Sequence, residues 1–250
     1  MPASEIRKDA REALKGKWGK AVCIILVYLA LSFVVGFIQG LFKEGSAIYT
    51  IINLAYTIIS IPLSFGLLIS FMKLKRGENV SCYDFFEDGF SRFGKSWGIW
   101  FHTFIRLLLP MVCLILVIVL LAVLLSVNII TGSAGLNIIS VLAVIIFIVT
   151  LVYIMARALL YVIAYNISYD NPELSSKDCV LKSEALMKGN RGSYFLLELS
   201  FIGWAILACL TLCIGFLWLL PYIQVATVCF YERVAKPEVK KVEEEVKIEE

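Results

Sequence analysis

The chain has 250 residues, 60% of them hydrophobic and only 17% charged, with a formal net charge of +3. An average soluble domain is about 45–50% apolar and about 25% charged, so the composition excludes an ordinary water-soluble fold and points to bilayer-spanning helices. No basic domain stands apart from the apolar segments, which argues against nucleic-acid binding.

The first predicted element is a basic amphipathic helix ending in "EALKGKWGK" (12–20), with Ile6, Ala10 and Ala13 on one stripe and Ser4 as its N-cap. An apolar run over 21–42 follows. It exceeds a signal-peptide core of about 7–15 residues and no A-x-A-like site follows it, so it is expected to stay as a first span. Loop 43–46 leads to a second run, 47–72. Runs above about 18 residues with few charges are long enough to cross roughly 30 Å of hydrocarbon as helix.

After "RGENVS" (76–81) a second amphipathic helix is expected around "DFFEDGF" (84–90), its stripe formed by Phe86, Phe90 and Phe93. The acids there read as the polar side of an interfacial helix rather than a catalytic pair. The third and fourth runs, 98–127 and 138–165, enclose loop 128–137. Then "EALMKGNRGS" (184–193) nearly restates the opening stretch. With Lys15–Gly16 matched to Lys188–Gly189, the residues Ile6, Ala10 and Ala13 fall on Cys179, Ser183 and Leu186. Ser176 is the expected N-cap and Gly189 the expected stop of this third amphipathic helix. The last run, 194–231, would measure about 57 Å as one helix, so it is expected to turn back at "TLCIG" (211–215).

The fold class is therefore all-α: a polytopic membrane protein with six transmembrane helices as three hairpins, each preceded by a cytoplasmic amphipathic helix. Residues 1–236 form a single membrane domain with possible repeats 4–78, 82–174 and 176–236, and 237–250 form a charged flexible tail. Each repeat begins and ends on the same side, so the copies are parallel and can surround an axis along the membrane normal. Lys and Arg set the orientation. Six basic residues precede the first run, five follow the second, four follow the fourth and five follow the last, which puts 20 of 23 on one side. That side, with both termini, is expected to be cytoplasmic.

Seven cysteines suggest no disulfide framework, since five lie in apolar runs while Cys82 and Cys179 lie in basic loops. Cys209 and Cys213, four apart on a predicted helix, are the one pair spaced for a soft metal, but no histidine or C-x-x-C accompanies them, so no metal and no cofactor is expected. Four ionisable residues interrupt the runs: His102, Arg106, Arg157 and Glu198. They form a candidate inner-leaflet polar cluster, either an ion pair of Glu198 with Arg106 or Arg157 that fixes packing, or a cytoplasm-facing vestibule. Trp18, Trp97, Tyr161 and Tyr165 are candidate interfacial anchors. Pro62, Pro110 and Pro221 are expected to kink spans, and Ser64, Gly66 and Gly203 to allow close helix contact. Polar residues toward the outer side are few: Gln39, Asn53 and Asn128.

No phosphate-binding loop, dinucleotide fingerprint or H-E-x-x-H occurs, and His102 has no nucleophile and carboxylate at recognisable spacing, so an enzyme is not expected. Three stretches, "IRKDAREALKGKW", "PLSFGLLISFMKLKRGENVSCYDFFEDGF" and the segment from "DNPELSSKDC" through "MKGN", "LSFIGW" and "PYIQVATVCFYERV", resemble a bacterial integral membrane family, domain of unknown function 975. The resemblance covers nearly the whole chain and implies a bacterial cell membrane, without implying an activity. It also implies a Pro-Gly before "ARALLYVIAYN", where this chain reads "YIMAR". The expected role is accessory or structural, engaging the lipid bilayer, anionic lipid headgroups or a partner membrane protein. The alternative is a small transporter or lipid-handling protein.

Overall fold

The computed structural model describes the backbone of residues 2–131 and 134–249 and the side chains of 2–127 and 139–235. Asn128 and the tail 237–250 thus lie outside the described side chains. Among the described residues every regular element is helical: α1 (Ala3–Leu14), α2 (Trp18–Gly40), α3 (Ala47–Arg76), α4 (Asp84–Ser91), α5 (Phe93–Thr131), α6 (Ala134–Ala158), a 3-10 turn (Leu159–Tyr161), α7 (Ala164–Asp170), α8 (Ser176–Met187), α9 (Arg191–Leu199), α10 (Ile202–Leu210) and α11 (Phe216–Glu249). Five segments are long and apolar enough to cross a membrane: Trp18–Gly40, Ala47–Arg76, Phe93–Val127, Ile139–Asp170 and Arg191–Leu210. The last expected span, on α11, is helical but is not among them.

The repeated Lys-Gly has a conformational cause. Lys15 (φ −59°, ψ 124°) precedes Gly16 (φ 77°), and Lys188 (φ −61°, ψ 117°) precedes Gly189 (φ 89°). Lys17 N–H donates to the Leu14 carbonyl at 2.9 Å, and Asn190 N–H to the Met187 carbonyl at 3.0 Å. These are two type II turns, whose third position needs positive φ and hence glycine. Each turn stops an amphipathic helix and redirects the chain into an apolar one. Gly16→Ala and Gly189→Ala are each expected to destabilise by about 1 kcal/mol, since alanine disfavours that backbone region. Detergent-unfolding midpoints check this, with Gly19→Ala, inside α2 with open space around it, as the control that should not destabilise.

The aligned stripes are alike in burial at their first two positions: Ile6 and Ala10 are fully buried, as are Cys179 and Ser183. At the third the expectation is one residue off, since Ala13 is only partly buried and the fully buried pair is Leu14 and Met187. The middle helix differs from expectation. Phe85 and Gly89 are its buried residues, while Phe90 and Phe93 are exposed. The reason is a backbone-to-backbone crossing: a Cβ on Gly66 of α3 would lie 1.9 Å from the Phe85 carbonyl oxygen, and one on Gly89 would lie 2.3 Å from that of Pro62. Only glycine permits this approach, and seating Gly89 rotates the helix one residue from the all-Phe stripe.

Other expectations need correction. Pro2, not Ser4, stands at the N-cap of α1. Ser175 rather than Ser176 caps α8, accepting from Asp178 N–H at 3.2 Å, while Ser176 packs on Gly98 and donates to the Lys95 carbonyl at 3.3 Å. Gly203 has open space around it and makes no close contact. The fourth apolar segment breaks at the 3-10 turn even without Pro-Gly.

The chain does turn back at 211–215, where Leu212 and Cys213 take positive φ and the Cys213 N–H reaches the Ala208 carbonyl at 3.2 Å. Gly215 sits so close to Ala208 that a Cβ would be 2.8 Å from its Cα. This hairpin is short. Tyr222, seven positions below Gly215, touches Trp18, so the tip rises only about 10 Å beyond that contact. The 23 residues of α2 climb about 33 Å from Trp18.

A disulfide joins Cys23, in the first turns of α2, to Cys82 ahead of α4, contrary to the expected lack of cross-links. Neither the helical position of Cys23 nor the loop position of Cys82 signals the other, because α4 folds back over the first hairpin. Both lie at the Lys/Arg-rich end of the spans. Mild diamide oxidation of native membranes is expected to protect both thiols from PEG-maleimide, with Cys82→Ser restoring one addition. Full labelling of the oxidised wild type would contradict the proximity.

Candidate functional site

Two polar groupings have geometry suited to a role. One lies along α5. Helix α8 runs beside it in parallel register, Ser176 against Gly98 and Glu184 near Arg106, both pairs advancing eight residues. Arg106 Nε stands 4.0 Å from the Glu184 carboxylate. Arg157, at the end of α6, and Arg106 both act electrostatically on Tyr161 beside Glu184. Arg106 Nη1, Arg157 Nε and the Tyr161 hydroxyl are buried without a hydrogen-bond partner. The carboxylate beside Arg106 is thus Glu184, which also stands 4.0 Å from Lys188. Glu198 faces the Tyr194 hydroxyl on its own helix instead. His102 is half-buried one turn before Arg106.

The second grouping gathers the ends of the returning helices. Arg76, closing α3, holds Asp170, closing α7, through two bonds of 2.7 and 2.8 Å. Tyr231 of α11 donates to the same carboxylate at 2.9 Å. Glu232 takes Lys75 and, at 3.6 Å, Arg76. Arg233 then reaches Asp9 at 2.6 Å and Glu5 at 2.9 Å on α1. Lys73 pairs with Asp88 of α4 at 2.7 Å, and the Arg76 and Arg92 guanidiniums flank the Tyr169 ring at 5.8 and 5.0 Å. Planar two-point pairing of this kind fixes orientation as well as distance.

The expected anchors are placed as follows. Trp18 touches Tyr222, and Trp97 Nε1 donates to the Ile58 carbonyl at 3.2 Å. Tyr161 is buried in the core, and Tyr165 packs on Phe65 while its hydroxyl donates to the Ser96 carbonyl at 3.5 Å. The pair suggested for a soft metal is not on one helix face: α10 ends at Leu210, and Cys213 lies in the left-handed turn. Burial pushes the Cys179 thiol up, which keeps it protonated and unreactive. Among the described residues no group of three or more metal-ligating side chains occurs.

All-helical construction with several helices long and apolar enough to span a bilayer defines the class, a polytopic membrane-type protein. Residues 1–238 match the family described as "Protein of unknown function (DUF975)", and the chain belongs to it. No curated protein and no solved structure matches the chain.

Proposed function

We propose that this is a non-enzymatic accessory or structural protein of a bacterial cell membrane, with both termini cytoplasmic, acting on lipid or on partner membrane proteins. The observation that carries this reading is how the charges at the basic end are used. Arg76, Asp170, Glu232, Arg233, Glu5 and Asp9 are spent on one another, tying α3, α7, α11 and α1 into one girdle. A girdle of this kind holds helices at fixed spacing, as a scaffold requires.

The proposal includes three repeated units closed into a ring. In support, α4 packs on the preceding α3 and α8 on the preceding α7, while α1 packs on α11. Each leading helix then covers the returning helix of its neighbour.

A second reading, a small transporter or lipid-handling protein with a polar vestibule, is favoured by the unpartnered Arg106 and Arg157 nitrogens near Tyr161. Mild purification from native membranes, with mass spectrometry of co-purifying lipid, solute and protein, decides between them. Stoichiometric protein or lipid is expected. A stoichiometric small polar solute with no partner would reverse the assignment, and Arg157→Gln should then release that solute.

A further inference from the structure

Beside the short third hairpin lies an open cavity of about 420 Å³, a size typical of ligand pockets. Its walls are apolar. Trp204 and Leu207 come from α10, and Trp218 and Leu219 from α11. Trp204, Trp218 and Leu207 are 53%, 51% and 55% exposed, so the cavity opens sideways, where bilayer rather than protein would cover it. Its floor is cationic. Arg7 and Arg11, one turn apart on α1, close the lower end. The Arg7 guanidinium makes one 3.5 Å contact with the Ser200 carbonyl, at the break between α9 and α10, and its Nε is buried with no partner. The Tyr222 hydroxyl donates to the Arg7 carbonyl at 3.1 Å and holds that turn of α1 under the cavity.

A second hollow of about 350 Å³ adjoins the first across Arg11 and Trp18, which line both. Its remaining charged wall is Lys8, Glu12 and Lys15. Glu12 lies 4.0 Å from Lys8, which leaves the hollow with a cationic excess. An apolar slot at hydrocarbon depth, guanidiniums at its lower end and a basic chamber beyond them form one sequence of environments. It matches an acyl chain, a phosphodiester and a polar headgroup in that order.

We infer that this pair of cavities holds one anionic phospholipid, its phosphate on Arg7 and Arg11 and an acyl chain between Trp204 and Trp218. Arginine suits the task because its planar fork meets phosphate oxygens at two points, and its buried Nε gains the partner it lacks. Indole rings at the slot suit the boundary between headgroup and hydrocarbon. The inference stands apart from the scaffold reading, since it needs only that the third hairpin be in a membrane.

The test uses the full-length protein reconstituted in phosphatidylcholine vesicles, with mid-chain spin-labelled phosphatidylglycerol or phosphatidylcholine as probe. The immobilised probe fraction is read at about one labelled lipid per protein. Phosphatidylglycerol should be favoured about tenfold: both lipids offer the arginines the same phosphodiester, but only phosphatidylcholine would bring a quaternary ammonium into the chamber lined by Lys8, Arg11 and Lys15. The Arg7→Gln/Arg11→Gln protein should lose that preference. Leu207→Trp, which fills the slot and leaves both arginines, should lose it too, so the outcome does not depend on the double variant folding. Removing the same charge elsewhere, by Lys177→Gln with Arg191→Gln, should leave the preference intact. Equal immobilisation of the two lipids by wild type, or loss of preference in that charge control, would overturn the site in favour of diffuse attraction. Displacement of the labelled lipid by millimolar inorganic phosphate would equally overturn it, since the site would then take the anion without its chain.

Discussion

Gly66→Ala is expected to prevent α4 from docking and to leave little correctly folded protein. The new methyl carbon would lie 1.9 Å from the Phe85 carbonyl oxygen and 2.8 Å from the Gly89 nitrogen. Both are backbone atoms, so no side chain can swing aside. Relief requires moving α4 as a body, which withdraws the fully buried Phe85 from its edge contact with Tyr28 and separates Lys73 from Asp88. Overpacking a tight site costs about 1–3 kcal/mol, and the loss of Phe85 burial adds about 2 kcal/mol more. Size-exclusion profiles in mild detergent and protease cutting between α3 and α5 report the result. Gly89→Ala should behave alike, its Cβ being 2.3 Å from the Pro62 oxygen. Gly203→Ala should do the opposite and stabilise by up to about 1 kcal/mol, because that helical glycine has open space and alanine favours helix. If Gly66→Ala and Gly203→Ala unfold at the same denaturant concentration as wild type, the crossing is not as close as described.

Hydrophobic run lengths were enough to anticipate the helical segments and the turn at 211–215, because both follow from bilayer thickness and helix rise alone. The repeated Lys-Gly was legible as a repeat. That it makes a type II turn was open to inference from glycine's freedom at positive φ, though only Gly189 suggested a helix stop. The face of α4 was not legible. Three phenylalanines at helical spacing outweigh one glycine in any periodicity argument, yet the glycine decides the face because its partner is another glycine, 23 positions away. Partner choice among charges was equally hidden. Glu184 reaches Arg106 because α8 lies along α5, whereas Glu198 sat in an apolar run and drew attention by its local context. Nor does anything near Arg7 and Arg11 signal a cavity, which exists only because α1 packs beneath α10 and α11, at the far end of the sequence.

Breaking Arg76 from Asp170 should have the other large effect, through the ends of three helices rather than one pair. The two side chains are 32% and 26% exposed, between the surface case, worth at most about 1 kcal/mol, and the buried case, where removing one partner costs about 3–5 kcal/mol. Asp170→Asn is therefore expected to destabilise by about 2 kcal/mol. It strips charge from the acceptor of both Arg76 and Tyr231 and leaves Arg76 only its longer contact to Glu232. Arg76→Gln should cost a similar amount, and the double variant clearly less than the sum, with a coupling of about 1–2 kcal/mol. Lys8–Glu12, at 4.0 Å and 70% and 66% exposed, provides the contrast within the same molecule, and its cycle should show coupling near zero. The girdle makes a further demand that a lone ion pair would not. Because Glu232 and Arg233 are adjacent and carry the connection on to Glu5 and Asp9, Asp170→Asn should also loosen α1. Faster hydrogen exchange in α1 than in α4 would show this, since α4 is held separately by Lys73 and the glycine crossing. Uniform exchange changes across both helices would mean that the charges act as separate pairs and that the ends are not joined.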